Sequence, residues 1–348
     1  MVRKPIHLRY IGIALIAALT IVGAACSSDS KSSEGSTATN GAVASSITIG
    51  YQKVPNGDLV VKQQRLLEKA FGDNVAISWR LFDSGGSVND AILAGSIDIG
   101  LVGSSPASRG ISTGIAYQIP WIFDVIGTAE ALVVKSTLGI NSIADLKGKT
   151  IATPFASTAH YSLLAALQDA GLSDSDVTVI DSEPDAIYAA WQQGSIDGAY
   201  VWNPNLAKLV SGGGKVLITS EDLSKEGKTT YDLAVVTNSF ATKYPAAVQI
   251  WINQQNIAVN QIKNEPEKAA ASVAAELNIS VADAKQQLSD LIFLTASQQV
   301  GSDYLGGGLS KNLYAAAQFN KNLGSISIIK PQSAYSAAVS TSFAAAVK

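Results

Sequence analysis

Short apolar runs alternate with amphipathic stretches along this chain, and the alternation has an order. Residues 47–50 start an apolar run of strand length, and 59–71 keeps helical periodicity up to Gly72. Residues 75–82 alternate apolar and polar as a strand does, then enter Asp83-Ser84-Gly85-Gly86. A short helix is predicted over 87–94 with Ser87 as its N-cap, and a third strand over 97–102, followed by Gly103-Ser104-Ser105-Pro106. The same series returns as strand 150–152, helix 161–170, strand 177–180, helix 186–193 and strand 196–201, before Trp202-Asn203-Pro204. Gly95-Ser96-Ile97-Asp98 reappears at the matching place as Gly194-Ser195-Ile196-Asp197. Five elements in matched order around a repeated tetrapeptide predict two similar α/β lobes.

Strands that alternate with helices form parallel sheets, and such sheets bind ligands beyond the carboxyl ends of their strands. That rule selects loops 52–58, 83–87 and 103–106 in the first lobe, and 153–161, 181–185 and 202–204 in the second. Loop 153–161 carries Thr153, Ser157, Thr158, His160 and Tyr161, has no acid, and leads into a helix whose apolar face is Leu163, Leu164 and Leu167. Free N–H groups and hydroxyls at a helix start favour an anion. Two apolar segments flank the second copy, 131–135 after Glu130 and 233–236 after Asp232, and are expected to be hinge strands. The first lobe then comprises 47–133 and 237–348, and the second 134–236. Helices expected over 245–262, 266–277, 281–291 and 313–323 rejoin the first lobe, with Trp251 and Phe293 in its core.

The chain has 348 residues, 47% of them hydrophobic, enough to fill two lobes. Its net charge of −3 offers no basic surface for nucleic acid. The single cysteine excludes internal disulfides and cysteine-rich metal sites. That cysteine, Cys26, follows a positive start (Arg3, Lys4, Arg9) and an apolar run over 11–25, and precedes a Ser-rich stretch. This resembles a bacterial lipoprotein signal, with Gly23 departing from the aliphatic residue usual there. The resemblance implies a signal peptide over 1–25, lipid on Cys26, and a flexible tether over 26–46 that holds the protein at a membrane.

Several segments together resemble the solute-binding proteins of bacterial ABC importers, specifically the taurine/alkanesulfonate type. They are Ile49-Gly50-Tyr51-Gln52, Trp79-Arg80-Leu81-Phe82-Asp83-Ser84-Gly85 and Ile99-Gly100-Leu101-Val102-Gly103-Ser104-Ser105-Pro106. Further on are Glu130-Ala131-Leu132-Val133-Val134-Lys135, the run from Pro154 to Leu164, and the run from Ala189 to Trp202. The resemblance implies a type II periplasmic-binding-protein fold: two α/β lobes with parallel-rich sheets, joined by two hinge strands and closing on a ligand. It also implies an extracytoplasmic monomer, an ABC permease with its ATPase as partner, and taurine or a related sulfonate as ligand, with no cofactor. One departure is Gly227-Lys228-Thr229-Thr230-Tyr231, where relatives often carry a Gly-Ala-Pro-Thr-like turn.

A sulfonate is charged at any physiological pH and has three acceptor oxygens, so neutral donors suffice. Ser84, Gly85, Ser104, Ser105, Ser157 and Thr158 are the candidates at helix starts, with His160 beside them and Gln52 able to offer an amide. Arg80 and Arg109 read as structural. The ammonium of taurine requires an anionic partner when buried. Asp232 is the first candidate, Glu130 the reserve, and Asp83 reads as a loop cap. Trp202 and Tyr51 are candidates for an apolar wall beside the two-carbon linker. A second possible ligand class is aliphatic sulfonates or another small oxyanion; a third reading is an enzyme on the same fold. For the enzyme, Ser157 and His160 stand three apart at one helix start, without an orienting acid or a nucleophile elbow. The cysteine-rich motif of thiamine-precursor synthases is missing, and no metal-ligand spacing, P-loop or dinucleotide fingerprint stands out.

Overall fold

The computed structural model describes residues 44–173 and 175–348. The expected signal peptide, Cys26 and the tether up to residue 43 lie outside the described residues. The last expected tether residues already belong to the fold: Ala44 is buried, and the first strand begins at Ser46.

Eleven strands are present among the described residues: β1 Ser46–Tyr51, β2 Ala76–Leu81, β3 Ile99–Gly103, β4 Tyr117–Ile126, β5 Glu130–Lys135, β6 Thr150–Thr153, β7 Thr178–Asp181, β8 Gly198–Trp202, β9 Gly214–Thr219, β10 Tyr231–Thr237 and β11 Leu291–Ile292. They form two sheets, ordered β11-β4-β10-β3-β1-β2 and β7-β6-β8-β5-β9. In the first, β2, β1 and β3 run parallel, while β10 pairs antiparallel with both β3 and β4. In the second, β7, β6 and β8 run parallel, while β5 pairs antiparallel with both β8 and β9. The sheets are therefore mixed rather than parallel-rich, because each parallel trio is extended by a strand entering from the opposite direction.

The strands expected to act as hinges, β5 and β10, occupy equivalent interior places in these two sheets. β5 lies wholly in the second sheet and β10 wholly in the first, so the boundaries expected at 133/134 and 236/237 misplace both strands. The chain changes sheets beside them, at 127–129 and at 226–230. A fully buried apolar run reads the same in sequence whether it links two lobes or lies inside one sheet, which explains the displacement.

The repeat holds at the level of single bonds. Gly95 and Gly194 take positive φ of 66° and 76°, the left-handed conformation that ends a helix in glycine. Ser96 and Ser195 donate to the carbonyls of Ala91 and Ala190 at 2.9 and 3.1 Å. Asp98 and Asp197 each accept from a backbone N–H of the strand that pairs beside their own, Thr48 of β1 and Thr150 of β6, both at 2.8 Å. The tetrapeptide thus ends a helix and ties its exit to the neighbouring strand.

One hydrophobic cluster joins residues 44–129 with 231–344, and two smaller clusters lie within 131–223. Trp251 is fully buried edge-on to Phe123, with ring centroids 5.9 Å apart, and Phe293 is buried in the same cluster, as the sequence reading expects. The helices of the last third are Pro245–Asn264, Pro266–Leu277, Val281–Ser289 and Gly308–Asn322. The helix expected over 59–71 is broken into Gly57–Gln63 and Leu66–Phe71 by Arg65, whose φ is 53°. β4 escapes the periodicity reading because it is buried on both faces and contains Pro120. That proline falls where the pairing with β10 shifts register, a position that tolerates a missing N–H. Among the described residues, no helix is long and apolar enough to cross a membrane.

Candidate ligand-binding cleft

The carboxyl ends of β1, β3, β6 and β8 meet the amino ends of β5 and β10. Antiparallel pairing is what brings the latter two there: Asp232 lies opposite Gly103 of β3, and Glu130 opposite Trp202 of β8. Between these ends is a small, partly open cleft. Gln52, Gly85, Glu130, Ser157, Thr158, Trp202 and Asp232 all line it. Among the described residues, no lysine, arginine or histidine does.

Three helices begin at this cleft: Gly85–Leu93, Ser104–Thr113 and Thr158–Asp169. The first N–H groups of a helix have no intrahelical partner, and the helix dipole is positive there. The loop before the third is fixed by Ser157, whose hydroxyl accepts from the His160 N–H at 3.1 Å and donates to the Pro154 carbonyl. Ala156 takes a φ of 61°, and its N–H donates to His160 Nδ1 at 3.3 Å.

The acids are buried. Glu130 accepts from the Thr158 hydroxyl at 2.6 Å and from the Ser220 hydroxyl at 2.7 Å. Burial still pushes its carboxyl up to about 7 against those two bonds. Burial likewise pushes Asp232 up to about 7. Beside Asp232 across the sheet is Asp124 of β4, fully buried and raised by burial and by the charge of Asp232. Asp124 is a residue the sequence reading misses. Its signal is one carboxylate in the apolar run 119–126. Asn203, which follows β8 and also lines the cleft, is missed as a side chain; its Nδ2 donates to Asp290 at 3.1 Å.

Five residues expected at the site do not line the cleft. Ser84 caps the helix Gly85–Leu93, and its hydroxyl donates to Glu183 at 3.0 Å. Ser104 accepts from the Tyr231 N–H at 3.2 Å, and Ser105 accepts from Asn320 at 3.4 Å; both are buried in the first turn of their helix. His160 lines a separate groove and stacks on Phe155, with ring centroids 4.3 Å apart. Burial, helped by the charge of Arg109, pushes its imidazole down to about 4. Its ring therefore braces the loop and is not paired with the Ser157 hydroxyl. Tyr51 stands edge-on to Trp79 at 6.0 Å, away from the cleft. Arg109 donates to the Ser325 carbonyl at 3.0 Å, a structural role as expected.

Contacts cross the cleft at its rim. Ser84 reaches Glu183, Lys53 pairs with Asp185 at 3.1 Å, and Tyr161 meets Phe319 edge-on at 4.8 Å. The two lobes are closed on one another.

Residues 45–276 match the substrate binding domain of the ABC-type glycine betaine transport system. The taurine-binding periplasmic protein of Escherichia coli K12 is 35% identical over 291 residues, 82% of this chain and 89% of that protein. Among solved structures, the alkanesulfonate-binding protein of Xanthomonas axonopodis pv. citri bound to MOPS superposes with a TM-score of 0.70 at 25% identity, over 84% of this chain and 96% of that one. The periplasmic aliphatic sulphonate binding protein of Escherichia coli gives 0.69 at 24% identity, over 84% of this chain and 92% of that one.

Proposed function

Since this chain belongs to the family of ABC-type substrate-binding domains, we propose that it captures taurine in the cleft between its lobes and delivers it to an ABC permease with its ATPase. The observation that carries this reading is the pairing of opposite polarities in one small cleft. Three helix starts, which favour an anion, and two buried acids, Asp232 and Glu130, line the same cleft, with no basic side chain among its lining residues to neutralise the acids. A ligand carrying one sulfonate and one ammonium satisfies both. A simple alkanesulfonate leaves the acids unpaired.

The cleft also speaks against a quaternary ammonium ligand such as glycine betaine. Such a cation has no N–H to donate and is held by several aromatic faces. Trp202 is the one aromatic side chain among the residues lining this cleft. An enzyme reading that pairs Ser157 with His160 meets the geometry already described, in which the serine bonds the histidine backbone rather than its ring. The protein would work outside the cytoplasm as a monomer, held to the membrane through lipid on Cys26.

Titration calorimetry with taurine, ethanesulfonate, sulfate and glycine betaine tests the assignment. Taurine should bind most tightly, by at least about tenfold, which is about 1.4 kcal/mol. Equal or tighter binding of ethanesulfonate or sulfate would overturn taurine specificity in favour of a general sulfonate or oxyanion binder.

A further inference from the structure

Behind the cleft lies an acid that no expected ligand contact uses. Asp124 on β4 is the cross-strand neighbour of Asp232 on β10, within hydrogen-bond reach of it. Asp124 is fully buried and Asp232 nearly so. Two carboxylates side by side in an apolar sheet do not both stay ionised; one proton serves the pair.

The surroundings say where that proton sits. Asn56 accepts from the Asp58 N–H through its Oδ1 at 3.1 Å, which fixes the amide so that Nδ2 faces Asp124 Oδ2 at 3.3 Å. Oδ2 is therefore an acceptor. Asp124 Oδ1 is buried with no hydrogen-bond partner of its own, which makes it the place left for the proton beside Asp232. The remaining charged group facing the pair is Glu130 from β5, already engaged by Thr158 and Ser220. No cation contributes to the environment of either aspartate.

We propose that Asp124 is a specificity-determining residue acting through Asp232: in the empty cleft the two share one proton, and the ammonium of an entering zwitterion displaces that proton to solvent. The balance is simple. The protonated pair plus the zwitterion gives the ionised pair with its ligand and one proton in the buffer. The inference rests on the taurine reading, because a ligand without a cation has nothing to exchange for the proton. Ligand choice then depends on both acids, since only a cation makes the second ionisation favourable.

Calorimetry of the protein with taurine, repeated at pH 6.5 in buffers of different ionisation enthalpy, counts the protons exchanged. Wild type should release close to one proton per taurine bound, and the count should fall above pH 8 as the empty pair ionises by itself. Ethanesulfonate should release none. In Asp124→Asn the neutral amide leaves Asp232 ionised beforehand, so taurine should still bind while proton release drops toward zero. Asp124→Ala, checked by thermal unfolding, repeats the test if the asparagine variant does not fold. Taurine binding without proton release in wild type overturns this inference and leaves the ligand assignment standing. Undiminished release in a folded Asp124 variant also overturns it and moves the proton to Glu130. Absence of any taurine binding removes the ligand assignment and this inference with it.

Discussion

Gly103 of the first lobe and Thr158 of the second approach so closely that a Cβ on Gly103 would lie 2.6 Å from Thr158 Cγ2. Its nearest neighbour within its own lobe, Pro106 Cδ, would be at an ordinary 3.5 Å. Gly103 has a φ of −69°, which any residue adopts, so the requirement for glycine here comes from the opposing lobe and not from the local backbone. Gly103→Ala should therefore weaken taurine binding by about tenfold or more, roughly 1.4 kcal/mol. The unfolding midpoint without ligand should move by no more than about 1 °C, a shift under about 1 kcal/mol for a chain of this size. Adding Thr158→Ser removes the clashing methyl and keeps the hydroxyl on Glu130, so the double variant should regain affinity. A loss of unliganded stability as large as the loss of binding would make Gly103 a packing residue of its own lobe instead.

Charge substitution at the amine side should separate two ligands. Asp232→Asn should weaken taurine by about 2–5 kcal/mol, because the ammonium loses its counter-charge in a desolvated place. Ethanesulfonate should change little, or bind better, since an unpaired acid is removed. Ser157→Ala, which loosens the loop that this hydroxyl ties to Pro154 and His160, should cost on the order of 1 kcal/mol with either ligand. If Asp232→Asn weakens both ligands equally, the residue is structural and Glu130 becomes the better amine partner.

Stability should respond to pH in a stated direction. Glu130, Asp232 and Asp58 all have carboxyls pushed up to about 7 by burial, whereas in the unfolded chain such groups titrate near 4. Between those values the folded state holds protons that the unfolded state has given up. The ligand-free protein should therefore lose stability as pH rises from about 4.5 to 7.5 and level off above that. Thermal unfolding at pH 5.5 and pH 8 checks this; a higher midpoint at pH 8 would mean that these acids are solvated. Taurine should stabilise more at pH 8 than at pH 5.5, because its ammonium meets acids that are already ionised.

Cys26 lies outside the described residues, so its role is tested in cells. Cys26→Ala should move the protein from the membrane fraction to the soluble fraction, since it removes the proposed site of lipid attachment. Wild-type protein found wholly soluble, beginning at another residue, would remove the lipoprotein assignment.

The parts legible in the sequence were those with a local bonding reason. The repeated Gly-Ser-Ile-Asp is legible because its glycine and serine close a helix and its aspartate ties a strand, once in each lobe. Gln52, Gly85, Ser157, Thr158 and Trp202 line the cleft because they follow parallel strands, where the topology itself puts a loop. Ser104 and Ser105 look the same in sequence, but the bonds that turn them away come from Tyr231 and Asn320, more than a hundred residues on. Asp124 was missed for a related reason: β10 makes it half of a pair, and nothing near it in sequence does.

The placement of β10 between β3 and β4 also dictates an order of assembly. A nascent chain that ends at Ile126 contains both neighbours of that strand but not the strand itself. Everything needed for the second sheet, from Glu130 to Thr219, is made before Tyr231 exists. The second lobe is thus continuous in sequence and free to form first, while the first lobe waits for a closing strand from the far side of its partner. Long-range pairing of this kind is slow, because the loop must be closed before its contacts form. In pulse-labelled refolding, amides of β8 should accordingly become protected from exchange before those of β3; the reverse order would show that the first sheet closes around β10 without waiting for the second.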